Sequence, residues 1–220
     1  MIEPYLEISL KSEYFFLLPQ KAIYRPAQQE LILSDLHLGK AAHFRKNGIP
    51  LPTPSKSKDL EILQQLINHW QPKKIIILGD LFHSDYNLEW DLFSQFLNQN
   101  AQLLFVLVKG NHDILKLEIY NIPNLTVVDK IEEPNFTFSH QPVNNCDKIN
   151  FCGHIHPAIK INGKAKQSVT LPCFAFVGNN FILPAFGSLT GLYVLKWDKH
   201  STFYLVGNNK VLEYENIRLL

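Results

Sequence analysis

"LLFVLVKGNHD", residues 103–113, sets six apolar residues before a Lys-Gly step, and then Asn111, His112 and Asp113 follow at once. The apolar run is continuous and does not alternate, as expected of a strand covered on both faces. Two further stretches read the same way, "ELILS" (30–34) and "KIIILG" (74–79). "EYFFLL" (13–18) and "NFTFSH" (135–140) read as additional strands. Helical spacing lies between them. In residues 57–70, Leu60, Leu63, Leu66, Ile67 and Trp70 fall on one stripe, with Ser57 placed to cap it. Residues 88–100 repeat the pattern through Leu88, Leu92, Phe96 and Leu97. The first half therefore alternates strand and helix. The second is mostly strands, with "GNN" hairpin signals at 178–180 and 207–209. The expectation is one domain over residues 1–220, α/β at first and β-rich afterwards.

Composition narrows the class. With 46% hydrophobic and 19% charged residues the chain has an ordinary globular balance. A net charge of +1 gives no global basic field, so any nucleic-acid contact must use local patches. Three cysteines, Cys146, Cys152 and Cys173, suit a reducing compartment and match no zinc spacing. The N-terminus does not read as a signal peptide, and no apolar run approaches the ~20 residues that span a bilayer. A cytoplasmic protein that does not act on membranes is expected. "NGIPLPTPSKS" (47–57) reads as a stiff surface loop.

Polar residues gather where these strands end. "SDLHLG" holds Asp35 and His37, "GDLFHSD" holds Asp80 and His83, "GNHD" holds Asn111 and His112, "SHQP" holds His140, and "GHIHP" holds His154 and His156. Ligands of parallel α/β sheets bind beyond the carboxyl ends of the strands. D-x-H and H-x-H on extended backbone would send both side chains from the same face. Asp35, His37, Asp80, Asn111, His140, His154 and His156 make seven candidate metal ligands. If one carboxylate bridges, seven serve two metals with four ligands each. Mixed oxygen and nitrogen donors without thiolate favour manganese, iron or zinc. Two dications against two aspartates and a hydroxide leave a site that attracts phosphate, and paired metals suit in-line attack by a bridging hydroxide. Phosphoester hydrolysis follows.

These five motifs, in this order over residues 31–157, resemble the calcineurin-like metallophosphoesterases. The resemblance implies a two-sheet β-sandwich flanked by helices, a four-layer α/β/β/α arrangement. It implies one metal on Asp35, His37, Asp80 and His156, and a second on Asp80, Asn111, His140 and His154. His112 would then protonate the leaving oxygen or stabilise the charged transition state. Many members read G-D-x-x-D, and here the last position is His83. That combination looks like the nuclease subunit of double-strand-break repair complexes, where this histidine helps place the nucleic acid. The partner orienting His112 is left open between Asp113 and Asp85. "DLHLGKAAHFRKNGIPLP" (35–52) and residues 171–191 resemble the ligase-associated DNA-damage-response endonucleases. That branch implies two divalent ions, manganese first with iron, zinc or magnesium compatible, DNA as substrate, and DNA ligase and repair enzymes as neighbours.

Plainer readings stand beside these. Asp113 could cap a helix beginning at "DILKLEIY", and His43 and His69 read as surface helix residues. Lys40, Arg45 and Lys46 form either a solvated face or a phosphate-backbone contact. "LPAFGSLTG" is either core strand and turn or a loop on the site's rim. Two other functions compete with a DNA nuclease. One is a phosphodiesterase of a small nucleotide or lipid-linked substrate. The other is an inactive scaffold, which the full ligand set opposes.

Overall fold

The computed structural model describes residues 5–40, 58–82, 88–144, 147–163, 167–196 and 198–214. His43, Arg45, Lys46, the proline loop, Ser57, His83, Asp85 and Cys146 lie outside these residues. The first sheet has seven strands in chain order: β1 (Leu6–Leu10), β2 (Glu13–Leu17), β3 (Ile23–Arg25), β4 (Glu30–Leu33), β5 (Lys74–Ile77), β6 (Leu104–Val108) and β7 (Leu125–Val128). β1 to β4 form an antiparallel meander, and β4 to β7 are parallel. The β4–β5 and β5–β6 links pass through α1 (Lys58–Trp70) and α2 (Leu88–Gln99), and the β6–β7 link through the short 3-10 turn Leu117–Tyr120.

Why the strands are apolar throughout follows from their two faces. Leu31, Leu33, Ile75, Ile77, Phe105 and Leu107 meet Leu60, Leu63, Leu66, Phe93 and Leu97 of the helices in one core. Ile32, Ile76, Leu78 and Val108 point the other way, into a second core shared with the second sheet. Alternate residues of one strand thus feed different cores.

The second sheet contains β8 (Ile131–Glu132), β9 (Phe136–Phe138), β10 (Ile149–Cys152), β11 (Pro157–Asn162), β12 (Ser168–Val177), β13 (Asn180–Ile182), β14 (Tyr193–Val194), β15 (Ser201–Gly207) and β16 (Lys210–Glu213). Phe136, Phe138, Phe151, Phe174 and Phe181 fill the space between the sheets. Both "GNN" hairpins form. In the second, Asn208 and Asn209 take φ of 50° and 56°, which suits a tight hairpin turn. The fold is the expected mixed sandwich flanked by helices. Both described α-helices belong to the first sheet's core, and neither contributes to the small cluster of Cys173, Ala175, Phe203 and Leu205 on the far face of the second sheet. No helix among the described residues is long and apolar enough to cross a membrane.

Candidate metal centre

The candidate ligands sit on loops that leave the carboxyl ends of β4, β5, β6, β9 and β10. The first two loops run side by side as an extension of the parallel sheet. The amide of Asp35 donates to the Gly79 carbonyl (3.1 Å), that of His37 to Asp80 (2.9 Å), and that of Leu38 to Leu81 (2.9 Å). Register set by the buried strands therefore brings Asp35 and Asp80 together.

Two groups of ligand atoms result. Asp35, His37 and His156 form one, and Asp80, His140 and His154 the other; within each, the donor atoms lie within 4.8 Å of one another. Nε2 atoms of His37 and His156 are 3.4 Å apart, and His156 Nε2 is 3.4 Å from Asp35 Oδ1. In the second group His140 Nε2 is 3.1 Å from His154 Nδ1, 2.9 Å from Asn111 Oδ1 and 3.4 Å from Asp80 Oδ1. Asp80 lies between the groups, its other oxygen 3.7 Å from His37 Nε2. All seven sequence-derived ligands are thus brought to one place.

The donor set fits divalent cations. His140 Nδ1 is 2.9 Å from the Leu78 carbonyl, so it carries the ring proton and donates it there. Nε2 then turns a bare lone pair toward two oxygens. Burial pushes His37 down to about 3, against the pull of Asp35, and burial also lowers His154. Both rings are neutral near pH 7, as metal ligation requires. Converging lone pairs with few protons to share repel one another, and a cation in their midst removes the repulsion.

Backbone conformation departs from the extended D-x-H and H-x-H expectation. Asp35, His37, Asp80, His154 and His156 all have positive φ, between 49° and 67°. His154 and His156 accordingly serve different groups. Such conformations in non-glycine residues cost on the order of 1 kcal/mol or more each, and persist where surroundings impose them. Those surroundings are visible. Asp35 accepts from the His154 amide (3.0 and 3.2 Å), and Glu89 of α2 accepts from the Gly39 amide. Ser139, Asn150 and Asn180 bond in series beneath the loop that carries His140.

Asp113 does not take the capping part that was open to it. Residues 114–116 are not helical and Lys116 occupies the N-cap of the short turn Leu117–Tyr120, so Asp113 caps no helix. Its buried carboxylate accepts from the amides of Asp80 (2.9 Å), Gly110 (2.8 Å), Leu81 (3.0 Å) and Phe82 (3.4 Å). It clips the β5 and β6 loops together. Gly110 is likewise needed for close approach more than for turning. A Cβ there would stand 2.3 Å from both the amide nitrogen and Oδ1 of Asp80. Gly110→Ala is therefore expected to cost about 1–3 kcal/mol and to lower metal content; unchanged melting and metal content would show room that the geometry denies.

His112 belongs to neither ligand group. Its amide donates to Asp80 Oδ1 (2.9 Å), and its half-exposed ring places Nε2 4.0 Å from Asp80 Oδ2. Lys40 is half-buried beside His37, its amide 3.2 Å from the His37 carbonyl. Cys152 and Cys173 are buried free thiols whose ionisation burial disfavours, Cys173 being pushed up to about 12. They are inert, as expected.

A family model for calcineurin-like phosphoesterases matches residues 31–172. The chain belongs to the calcineurin-like phosphoesterase family. Members of the family use divalent metals, and this phosphoesterase carries two candidate ligand groups for them. It is similar to a solved Pseudomonas putida nuclease, MPE, at 28% identity, with 96% of this chain and 100% of that one covered and a TM-score of 0.77. It also matches YfcE, a phosphoesterase from E. coli, at 13% identity over 81% of this chain and 88% of that one, with a TM-score of 0.41. No curated protein sequence matches. The chain is a metal-dependent phosphoesterase.

Proposed function

We propose that this phosphoesterase hydrolyses phosphodiesters of DNA, as an endonuclease working in the cytoplasm in DNA repair, with manganese as its preferred ion. The observation that carries the reading is the single cluster formed by all seven candidate ligands, with His112 beside it and outside both groups. Likeness to the Pseudomonas putida nuclease over 96% of this chain and 100% of that one supports the choice of substrate.

In this reading Asp35, His37, Asp80 and His156 hold one ion, and Asp80, Asn111, His140 and His154 the other. Ions held there would supply Lewis acidity, lowering the pKa of water and drawing charge from phosphoryl oxygens. Asp80 divides its carboxylate between the groups and fixes their separation. Leu78, through its carbonyl, holds the His140 tautomer. His112 reaches outward to the leaving oxygen, and Lys40 adds positive charge for the polyanion. Arg45 and Lys46 join it by their charge as phosphate-backbone contacts, and the family resemblance adds His83 as a nucleic-acid contact and DNA ligase with other repair enzymes as neighbours.

Purified protein offered single-stranded DNA, duplex DNA and a generic phosphodiester, each with manganese, magnesium, zinc or no metal, tests this. DNA cleavage that requires metal is expected, fastest with manganese. Turnover of the generic diester beside intact DNA would favour a small-nucleotide or lipid-linked substrate. Ordinary folding with no turnover under any metal would favour a scaffold.

A further inference from the structure

We propose that Asp59, on the first turn of α1, is a positioning residue for the Asp35–His37–His156 group, acting through the segment that follows β13. This rests on the reading that the group holds a metal ion. The segment crosses from the second sheet to the first. The Leu183 amide donates to the Cys152 carbonyl (2.7 Å), the Phe186 amide to Ser34 (2.8 Å), and the Gly187 amide to Asp35 (3.1 Å). At Gly187 the two backbones touch so closely that a Cβ would stand 2.3 Å from the Leu36 carbonyl oxygen. The strap is pressed onto the peptide that links Leu36 to His37 and bonds the carbonyl just before it.

One residue further on, the strap is pinned from outside. Asp59 accepts from the Ser188 amide (3.1 and 3.2 Å) and from the Ser188 hydroxyl (3.3 Å). Thr190 Oγ1 donates back to the Gly187 carbonyl (2.9 Å), and Lys21 Nζ reaches the same oxygen at 3.4 Å. Burial lowers the Lys21 pKa, and the negative charge of Asp59 opposes that fall. Asp59 thus receives the amide and hydroxyl of Ser188, while the Lys21 ammonium holds the neighbouring Gly187 carbonyl within reach of its charge.

The mechanical consequence is specific to one group. Asp35 and His37 occupy left-handed backbone (φ 53° and 49°), which relaxes unless neighbours impose it. Amides of Gly187 and Phe186 hold that loop on the side away from β5. The loop bearing Asp80 pairs with that loop but has its own anchor in Asp113, and the loop bearing His140 has one in the Asn150–Asn180 pair. Freeing the strap should therefore loosen the first group and spare the second. Losing an outer partner of metal ligands typically costs 10–100-fold in affinity.

Manganese titration of the full chain, followed calorimetrically and by electron paramagnetic resonance, tests this alongside amide hydrogen exchange of the metal-free protein. Wild type should show two binding events. Asp59→Ala should weaken one of them by about 10–100-fold, the same event that His37→Ala removes, and leave the other unchanged. Exchange of amides 34–38 should quicken in Asp59→Ala while those of 79–82 hold. Asp59→Asn, which keeps the acceptor oxygen and loses the charge, should fall between; if the alanine variant does not fold, the asparagine variant decides by the same criteria. Equal weakening of both events, or no change in either binding or exchange at 34–38, overturns the inference. Wild type that takes up no divalent ion overturns the reading of the site itself, a distinct result from two ions bound identically by wild type and Asp59→Ala.

Discussion

His112→Ala is expected to lower turnover by about 10²–10⁴, the usual worth of a general acid, while both metals stay bound. The argument begins with position. His112 follows Asn111 in the chain but stands apart from the ligand groups, its ring 5.4 Å edge-on to that of His37 and half-exposed to solvent. Its amide, not its ring, makes the close contact with Asp80, so removal of the imidazole leaves that hydrogen bond in place. Metal content measured on the purified variant should match wild type. A generic diester with a good leaving group should suffer less than one with a poor leaving group, because only the latter needs a proton. Loss of metal, or an equal deficit for both leaving groups, would reassign His112 to ligation or to charge stabilisation.

Arg25→Ala is expected to destabilise the fold by about 3–5 kcal/mol, the range for removing one partner of a buried ion pair, without altering turnover per folded molecule. Arg25 ends β3 and is almost wholly buried. Its guanidinium forks onto Glu13 and onto Glu133, and reaches Glu30 at 3.0 Å, while the rings of Phe15, Phe136 and Phe138 lie within 6 Å. Burial pushes the guanidinium pKa down, and the hydrogen bonds and charges of the three carboxylates more than reverse it. Alanine would leave those carboxylates facing one another with Lys74 on Glu30 as their remaining counter-charge in the cluster. Glu133 lies in the turn that joins β8 to β9 of the second sheet, so the variant also loses a tie across the sandwich. Arg25→Lys should recover only part of the loss, since an ammonium cannot form two forks at once. Denaturant midpoints measure the effect. Because Glu30 opens β4 and Asp35 follows its end, the network is roughly 16 Å of strand from the metal groups, and metal affinity should hold. Stability within 1 kcal/mol of wild type would show that water or rearrangement replaces the network.

Strands β4, β5 and β6 were legible because every residue past the first is buried, which leaves an unbroken apolar run. The ligand set was legible for a related reason. Asp, Asn and five histidines gather immediately beyond such runs, more metal-type donors than turns alone call for. Arg25 was not legible, because a lone arginine in a sequence looks like surface until three carboxylates from distant positions close around it. Nor was Asp59, whose partner Ser188 is 129 residues away.

By itself, then, the sequence determined the alternation of buried strands and amphipathic helices, the residue types of the metal centre, and their place at strand ends. These are local properties, set by side-chain hydrophobicity and period. Tertiary structure alone decided that Asp113 clips two loops where a helix cap was one reading, and that Gly110 is demanded by the nearness of Asp80. Each depends on how closely two backbones approach, a distance that arises only when separate segments of the chain are packed against one another.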